Sequence, residues 1–301
     1  MTHLLRAAVL AVITCAAAHG AVDPYDQSQV PLEVDTHDAS LTKIVLVAGH
    51  ASHGPGEHEF FAGCALLMAM LKQTPGVFPV MARDGWPKDE KIFTGAKAVV
   101  FYMDGRNGHP VGQHLEFLKP LLAQGVGWVN LHYAVDYTKQ DGATVIDWMG
   151  GFYDAEISIN PHWKAEFATL PEHPVTRGVK PFTIADEWYY NMRWQGGTPE
   201  ATKGLTPILT ATPPDATRGT PDAKSHPGRP EITAWAYERP HDGRAFGFTG
   251  AHTHTNWAND DFRRLVVNAI LWTAHVEVPA TGAPVVLAEG AIERNLDKKK
   301  K

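Results

Sequence analysis

Three hydrophobic runs in this chain each end on a histidine: Lys-Ile-Val-Leu-Val-Ala-Gly-His50, Val-Gly-Trp-Val-Asn-Leu-His132 and Ala-Phe-Gly-Phe-Thr-Gly-Ala-His252. Short apolar stretches rich in β-branched or aromatic residues, bounded by Gly or polar residues, read as buried strands. Helical patterns lie between them. Glu57 and Glu59 stand in a first turn, Phe60, Cys64, Leu67 and Leu71 share one face, and Gly76 follows the end. Residues 77–81, 98–103 and 126–131 read as further strands. Leu115, Leu118 and Leu122 give a second helical face, in which Pro120 predicts a kink or a restart. The last helix has Asn259 as N-cap, Asp260 and Asp261 in its first turn, and Phe262, Leu265, Val266, Ala269 and Ile270 inward. Strands alternating with helices predict parallel βαβ units, hence an α/β fold with a mainly parallel sheet and helices on both faces. Ligands of such sheets collect outside the carboxyl ends of the strands. One histidine there would simply cap a strand, but three at one edge would make a site.

The rest of the chain is less periodic. Residues 157–194 are aromatic and strand-like, and 232–237 with 244–248 read as a hairpin around Pro240-His241-Asp242-Gly243. Residues 212–230, rich in Pro, Gly and charge, predict a long, irregular, mobile surface loop able to cover a pocket. With 44% hydrophobic residues the chain can bury a real core, and a net charge of -6 argues against a nucleic-acid partner. Lys298 to Lys301 read as a short solvated tail. Residues 1–20 read as an export signal: Arg6, an apolar stretch over 7–18, and Ala18-His19-Gly20 as a cleavage site. That stretch is too short to span a bilayer comfortably, so no transmembrane segment is expected in the mature chain. After cleavage only Cys64 remains, which excludes an intrachain disulfide. These features predict a periplasmic or secreted protein with a lead-in over 21–42, one domain over 43–276 and a tail over 277–301. Oligomeric state is not legible.

Four ordered passages carry a family resemblance: Gly-Pro-Gly-Glu-His-Glu-Phe (54–60), His-Pro-Val-Thr-Arg-Gly (173–178), Asp-Glu-Trp-Tyr-Tyr (186–190) and Gly-Phe-Thr-Gly-Ala-His (247–252). Together with Asn268-Ala269-Ile270-Leu271-Trp272, they resemble a ThuA-like, or trehalose-utilisation, domain running from about Lys43 to Val276. The resemblance implies a flavodoxin-like fold related to class I glutamine amidotransferases and an association with bacterial carbohydrate metabolism, including keto-sugar pathways. It supplies no agreed catalytic residues. Amidotransferases of that class place a nucleophilic Cys at a sharp strand-to-helix elbow. Here the turn reads Asn130-Leu131-His132-Tyr133-Ala134, and Cys64 lies on the apolar face of a helix, where a thiol is usually inert. Glutamine hydrolysis through a thiolate is not expected.

Two chemistries suit the histidines. In the first, His50, His132 and His252 ligate zinc or another divalent metal, with His58, His254 or Glu187 as additional donors; zinc takes three or four N, O or S ligands. No HExxH or similarly compact spacing is present. In the second, a histidine beside Asp104, Asp186 or Glu187, with His132 the first candidate, shuttles protons without a metal. The Asp186-Glu187 pair has an alternative reading as a surface ion pair to Arg177 or Arg193. A small-molecule carbohydrate would pack its C–H faces on aromatic planes and bond its hydroxyls to polar side chains. His58, Arg106, Trp188, Tyr189, His254 and Trp257 are the candidates for that binding, although core packing is the commoner role for Trp. Asn107 and His109 extend the Arg106 loop. No GxGxxG, P-loop or Gly-x-Ser-x-Gly pattern follows a strand, so no nucleotide cofactor and no serine hydrolase chemistry is expected.

Overall fold

The computed structural model describes residues 23–240 and 243–300; the expected export signal lies outside them. In chain order the strands are β1 (Thr42–Ala48), β2 (Val77–Ala82), β3 (Ala98–Tyr102), β4 (Gly127–Leu131), β5 (Gly151–Phe152), β6 (His162–Phe167), β7 (Phe182–Glu187), β8 (Arg193–Trp194), β9 (Leu205–Ala211), β10 (Glu231–Glu238) and β11 (Arg244–Phe248). The α-helices are α1 (Phe60–Leu71), α2 (Leu115–Ala123), α3 (Lys139–Met149), α4 (Pro221–Lys224) and α5 (Asp260–Thr273). A seven-stranded sheet runs β2-β1-β3-β4-β11-β10-β9. Its first five members are parallel, and β10 and β9 add antiparallel pairs at one side. Helices α1 and α5 share one core layer with one face of the sheet, while α2 and α3 contribute to the layer on the other. Burial on both faces is why β1 and β3 read as continuous apolar runs rather than alternating ones.

Local chemistry sets the helix ends. Asn259 accepts the Asp261 and Phe262 amides to open α5. Pro120 lies inside α2, which continues across it. Helix α3 turns Gly142, Val145, Trp148 and Met149 inward; it starts on the Thr138 hydroxyl, which accepts the Asp141 amide, and stops at Gly150 with φ 76°. Outside the main sheet, β6 and β7 form an antiparallel pair that puts His162 opposite Glu187.

Two expectations change here. Residues 212–230 carry short helical turns at 215–217 and in α4, and are pinned by buried Arg218, which bonds Glu231 at 2.7 Å and Asp215 at 2.9 Å. Nor is Lys299 solvated, because its side chain is only 3% exposed and pairs with Glu59. The segment after α5 packs as part of the domain: the Gln73 amide and the Arg263 guanidinium donate to the carbonyls of Val286 and Val285. Helix α1 is correspondingly buried on almost every side, with only Ala65 and Ala69 reaching solvent. No described helix is long and apolar enough to cross a membrane.

Candidate metal centre

His132 follows β4 directly and adopts φ 55°, a left-handed conformation that a non-glycine residue holds only under constraint from its surroundings. That elbow turns the imidazole into the sheet's carboxyl edge, where its Nδ1 lies 2.9 Å from the Thr249 carbonyl after β11. His252 comes from the same β11 loop. The buried Asp186 carboxylate shapes this loop by accepting the amides of Ala251 at 2.7 Å and Thr253 at 3.0 Å. Glu187, the last residue of β7, follows it and turns the other way. His58 arrives from the long β1–α1 loop with φ 46°, its amide bonded to the His252 carbonyl at 3.0 Å. Its Nδ1 lies 2.9 Å from the Asp104 carboxylate, just past β3.

The four side chains converge. His58 Nε2 is 3.0 Å from His132 Nε2 and 2.9 Å from His252 Nδ1, and the last two atoms are 3.2 Å apart. Glu187 Oε2 lies 3.1 Å from His252 Nδ1 and 3.5 Å from His132 Nε2. A tetrahedral ion with bonds of about 2.0–2.1 Å would set its ligands roughly 3.3 Å apart, so these separations match such a cage.

The hydrogen bonds decide what the converging atoms carry. His58 Nδ1 and His132 Nδ1 each face a pure acceptor, so each bears the ring proton there. Their Nε2 lone pairs then face one another inside the site. Burial, reinforced by the charges of His53 and His252, drives His58 down to about 2, and burial with the neighbouring His58 drives His132 well below the ordinary range. Neither imidazole therefore takes a second proton readily. Burial alone would lower His252 too, but Glu187 outweighs it and raises His252; burial would raise Glu187, yet bonds to His252 and the charge of His132 hold it low. Two lone pairs and a carboxylate thus surround one position, and they need a positive centre between them, a proton or a metal. His252 Nε2 is buried with no hydrogen-bond partner, and Glu57 lies 3.7 Å away. If Nδ1 is the ligating atom, this nitrogen is the ring's N–H. Histidine ligands held by carboxylate and carbonyl partners, as His58 and His132 are, match the outer support usual at metal sites. The residues fit a divalent ion.

Beside this cluster lies a polar cleft of about 170 Å³, reached by Glu187, Tyr189, Arg106, Asp136, Tyr133, Tyr153, Asn160 and His53. It is small against the roughly 300–1,000 Å³ of drug-sized pockets. Arg106 also has positive φ, 55°, and bonds Asp136 at 2.9 Å. A Cβ at Gly105 would stand 2.2 Å from the Tyr133 carbonyl, so glycine permits the two loops to meet. Arg106 Nε and Asp136 Oδ1 are both buried without a partner. Burial outweighs the neighbouring guanidinium and lifts Asp136 to about 7. Asn160 donates to Glu187 Oε1 at 2.9 Å, fixing that carboxylate, and the Tyr189 hydroxyl lies 3.3 Å from His132 Nε2. A larger cleft, about 720 Å³, lies over Trp86, Phe93 and Phe117 and holds none of the converging groups.

The candidates named from sequence therefore divide. His132, His252 and Glu187 meet in one place, Asp104 supports them through His58, and Arg106 and Tyr189 line the cleft. His58, expected to bind substrate, takes the place beside His132 and His252 that was expected of His50. His50 sits at the same sheet edge, but its side chain is 72% exposed and 3.7 Å from Asp84. Gly49 packs on Met103, where a Cβ would lie only 2.7 Å away, and the chain then turns His50 outward. Trp188 and Trp257 are fully buried core residues packed on Phe262, not cleft aromatics. His254 is buried as well and bonds the Ile292 carbonyl at 2.9 Å. The ion pairs considered for Asp186 and Glu187 do not form: Arg177 pairs with Glu277, and Arg193 with Asp154. His53, Tyr133, Asp136, Tyr153 and Asn160 belong to no motif that marks them as site residues in the sequence. The first three lie in loops that leave β1 and β4 at the sheet's carboxyl edge, the one local signal that could have drawn attention to them, whereas Tyr153 follows β5 of the separate β5–β8 pair and bridges to Asp136. Cys64 is fully buried and its thiol is pushed far up by burial.

Comparison with known proteins agrees with this architecture. None of the curated proteins compared matches the chain. Among solved structures, it resembles a ThuA-like protein from Bacteroides uniformis at 18% identity, covering 78% of this chain and 91% of that one, TM-score 0.52. It likewise resembles a ThuA-like protein from Parabacteroides merdae at 15% identity, covering 84% and 99%, TM-score 0.53. These likenesses bear on the fold, a flavodoxin-like α/β arrangement of the class I glutamine amidotransferase type. The ThuA family profile, described as trehalose utilisation, matches residues 45–273, and the chain belongs to that family.

Proposed function

We propose that this chain is an exported, divalent-metal-dependent enzyme acting on a small carbohydrate, a sugar or keto-sugar glycoside. The observation that carries the reading is the convergence of His58, His132 and His252 with Glu187, with the outer nitrogens of His58 and His132 already committed to Asp104 and Thr249. Three imidazoles and a carboxylate suit zinc and several other first-row divalent ions. Such an ion supplies Lewis-acid polarisation of a carbonyl oxygen or activation of a water. The chain's own groups account for the rest. Arg106 Nε offers a donor and Asp136 Oδ1 an acceptor, both buried and free, which suits neighbouring oxygens of a polyol. Tyr133 and Tyr153 provide aromatic walls, and Glu187, steadied by Asn160, faces both the imidazoles and the cleft, placed to take or return a proton where the three imidazoles alone hold the ion. The family description, trehalose utilisation, supports a carbohydrate substrate. Residues 1–20, with their positive and then apolar composition, support export to the periplasm or beyond.

Elemental analysis of gently purified protein tests the reading. One equivalent of a divalent ion is expected, with turnover of a keto-glycoside abolished by a chelator and restored by the ion. A protein that holds no ion and takes up none of zinc, manganese or cobalt would overturn the metal assignment. Sugar binding without any conversion would replace the enzyme with a carbohydrate-binding module.

A further inference from the structure

We infer that Glu59 and Lys299 form a clasp that positions His58, making the segment after α5 a supporting part of the metal centre. This rests on the metal reading above. His58 holds a strained backbone, φ 46°, and strain of that kind persists only where neighbours enforce it. The neighbours are specific. Glu57 and Glu59 flank His58, and the Glu59 side chain is 1% exposed. One Glu59 oxygen accepts the Gly56 amide at 2.9 Å, closing the 56–59 turn on itself. The other accepts the Asp297 amide at 2.7 Å, fastening the turn to the later segment. A buried carboxylate needs a counter-charge, and Lys299 Nζ supplies it at 3.4 Å while also donating to the Glu57 carbonyl.

The segment that delivers Lys299 is itself anchored. Leu296 donates to the Pro24 carbonyl at 2.9 Å, and Gln27 reaches the Asn295 and Leu296 carbonyls, each at 3.2 Å. His254, two residues past His252, bonds the Ile292 carbonyl, so the same segment braces the loops that carry His58 and His252. None of its described residues hydrogen-bonds a converging atom or lines the cleft, and only the charge of Lys299 reaches His58 and Asp104. Glu59 and Lys299 are therefore positioning residues.

The test compares full-length Lys299→Met, Lys299→Arg and wild type in two measurements. Cobalt(II) titration reads affinity and the ligand-field absorption of the bound ion; hydrogen exchange of the metal-free protein reads the amides of Gly56 and His58. Lys299→Met is expected to weaken cobalt about 10-fold or more, to alter the ligand-field bands and to speed exchange at both amides. Protection in β4 should stay unchanged, and Lys299→Arg should restore most of each property. Wild-type affinity, spectrum and exchange in Lys299→Met would overturn the clasp. If wild type takes up no cobalt, the metal reading fails, and the exchange arm alone decides the clasp. Should Lys299→Met lose protection in β4 too, the isosteric Glu59→Gln is read in its place, and unchanged loop exchange there overturns the proposal.

Discussion

Asp104 offers the sharpest test of the centre, because it touches a ligand without being one. Its carboxylate accepts from His58 Nδ1 at 2.9 Å and from the Ser52 hydroxyl at 3.0 Å, and its side chain is one-third exposed. In Asp104→Asn the amide oxygen can still accept the Nδ1 proton, so the tautomer survives while the anionic push on the ring is lost. Asp104→Ala removes both. Loss of such a partner costs about 10- to 100-fold in metal affinity, or roughly 1.4–2.7 kcal/mol. Asp104→Asn should sit near the lower figure and Asp104→Ala near the upper. The fold should tolerate both, since the carboxylate is partly solvated and lies in a loop. Competition titration of zinc against a chelator, alongside thermal melts of the metal-free proteins, separates affinity from stability. Equal zinc affinity in wild type and Asp104→Ala would refute the assignment of His58 as a ligand oriented from behind.

Three further substitutions test the placement of the loops. His132→Ala should abolish stoichiometric metal binding and turnover, whereas His50→Ala, at an exposed side chain, should leave both at wild-type levels; loss of metal in His50→Ala would mean the wrong histidine was assigned. Asp186→Ala strands the buried amides that Asp186 accepts, at a cost of about 3 kcal/mol, and should lower the melting temperature by roughly 6–12 °C and weaken metal through His252; an unchanged melt would show that the β11 loop holds its shape without this carboxylate.

Much of the architecture could be read locally because burial on both sheet faces writes itself into the sequence as unbroken apolar runs. The histidines that end those runs were legible as residents of one edge. The direction each ring takes was not. His50 and His132 both follow strands, yet Gly49 packs against Met103 and carries the chain away, while φ 55° at His132 folds it inward. His58 ends no strand; it stands at the entrance to α1 after a long loop, and contacts remote in sequence bring it home, among them its amide to the His252 carbonyl and its Nδ1 to Asp104. The aromatic signal misled for a different reason. Trp188 and Trp257 stand next to site residues in sequence, but their large apolar surfaces are worth more in the core against Phe262 than at a polar cleft. The segment after α5 was illegible because its partners are remote: Asp297 and Glu59 meet across 238 residues, and no local pattern encodes that contact.

Backbone strain connects these observations to the chemistry. His53, His58, Arg106, His132 and Ala251 all hold positive φ, and all lie in loops at the carboxyl edge of the sheet or next to a ligand. Each non-glycine residue in that region costs of the order of 1–3 kcal/mol, a cost that persists only where the surroundings over-determine it. At the β4 elbow the strained residue is His132 itself. Here the aimed group is an imidazole whose Nδ1 is already bonded to Thr249, so what the elbow presents is a lone pair on Nε2. A lone pair fixed 3.0 Å from another lone pair is repulsive until a cation lies between them. The strained elbow and the mutually facing nitrogens are therefore two parts of one arrangement, which the proposed divalent ion would complete.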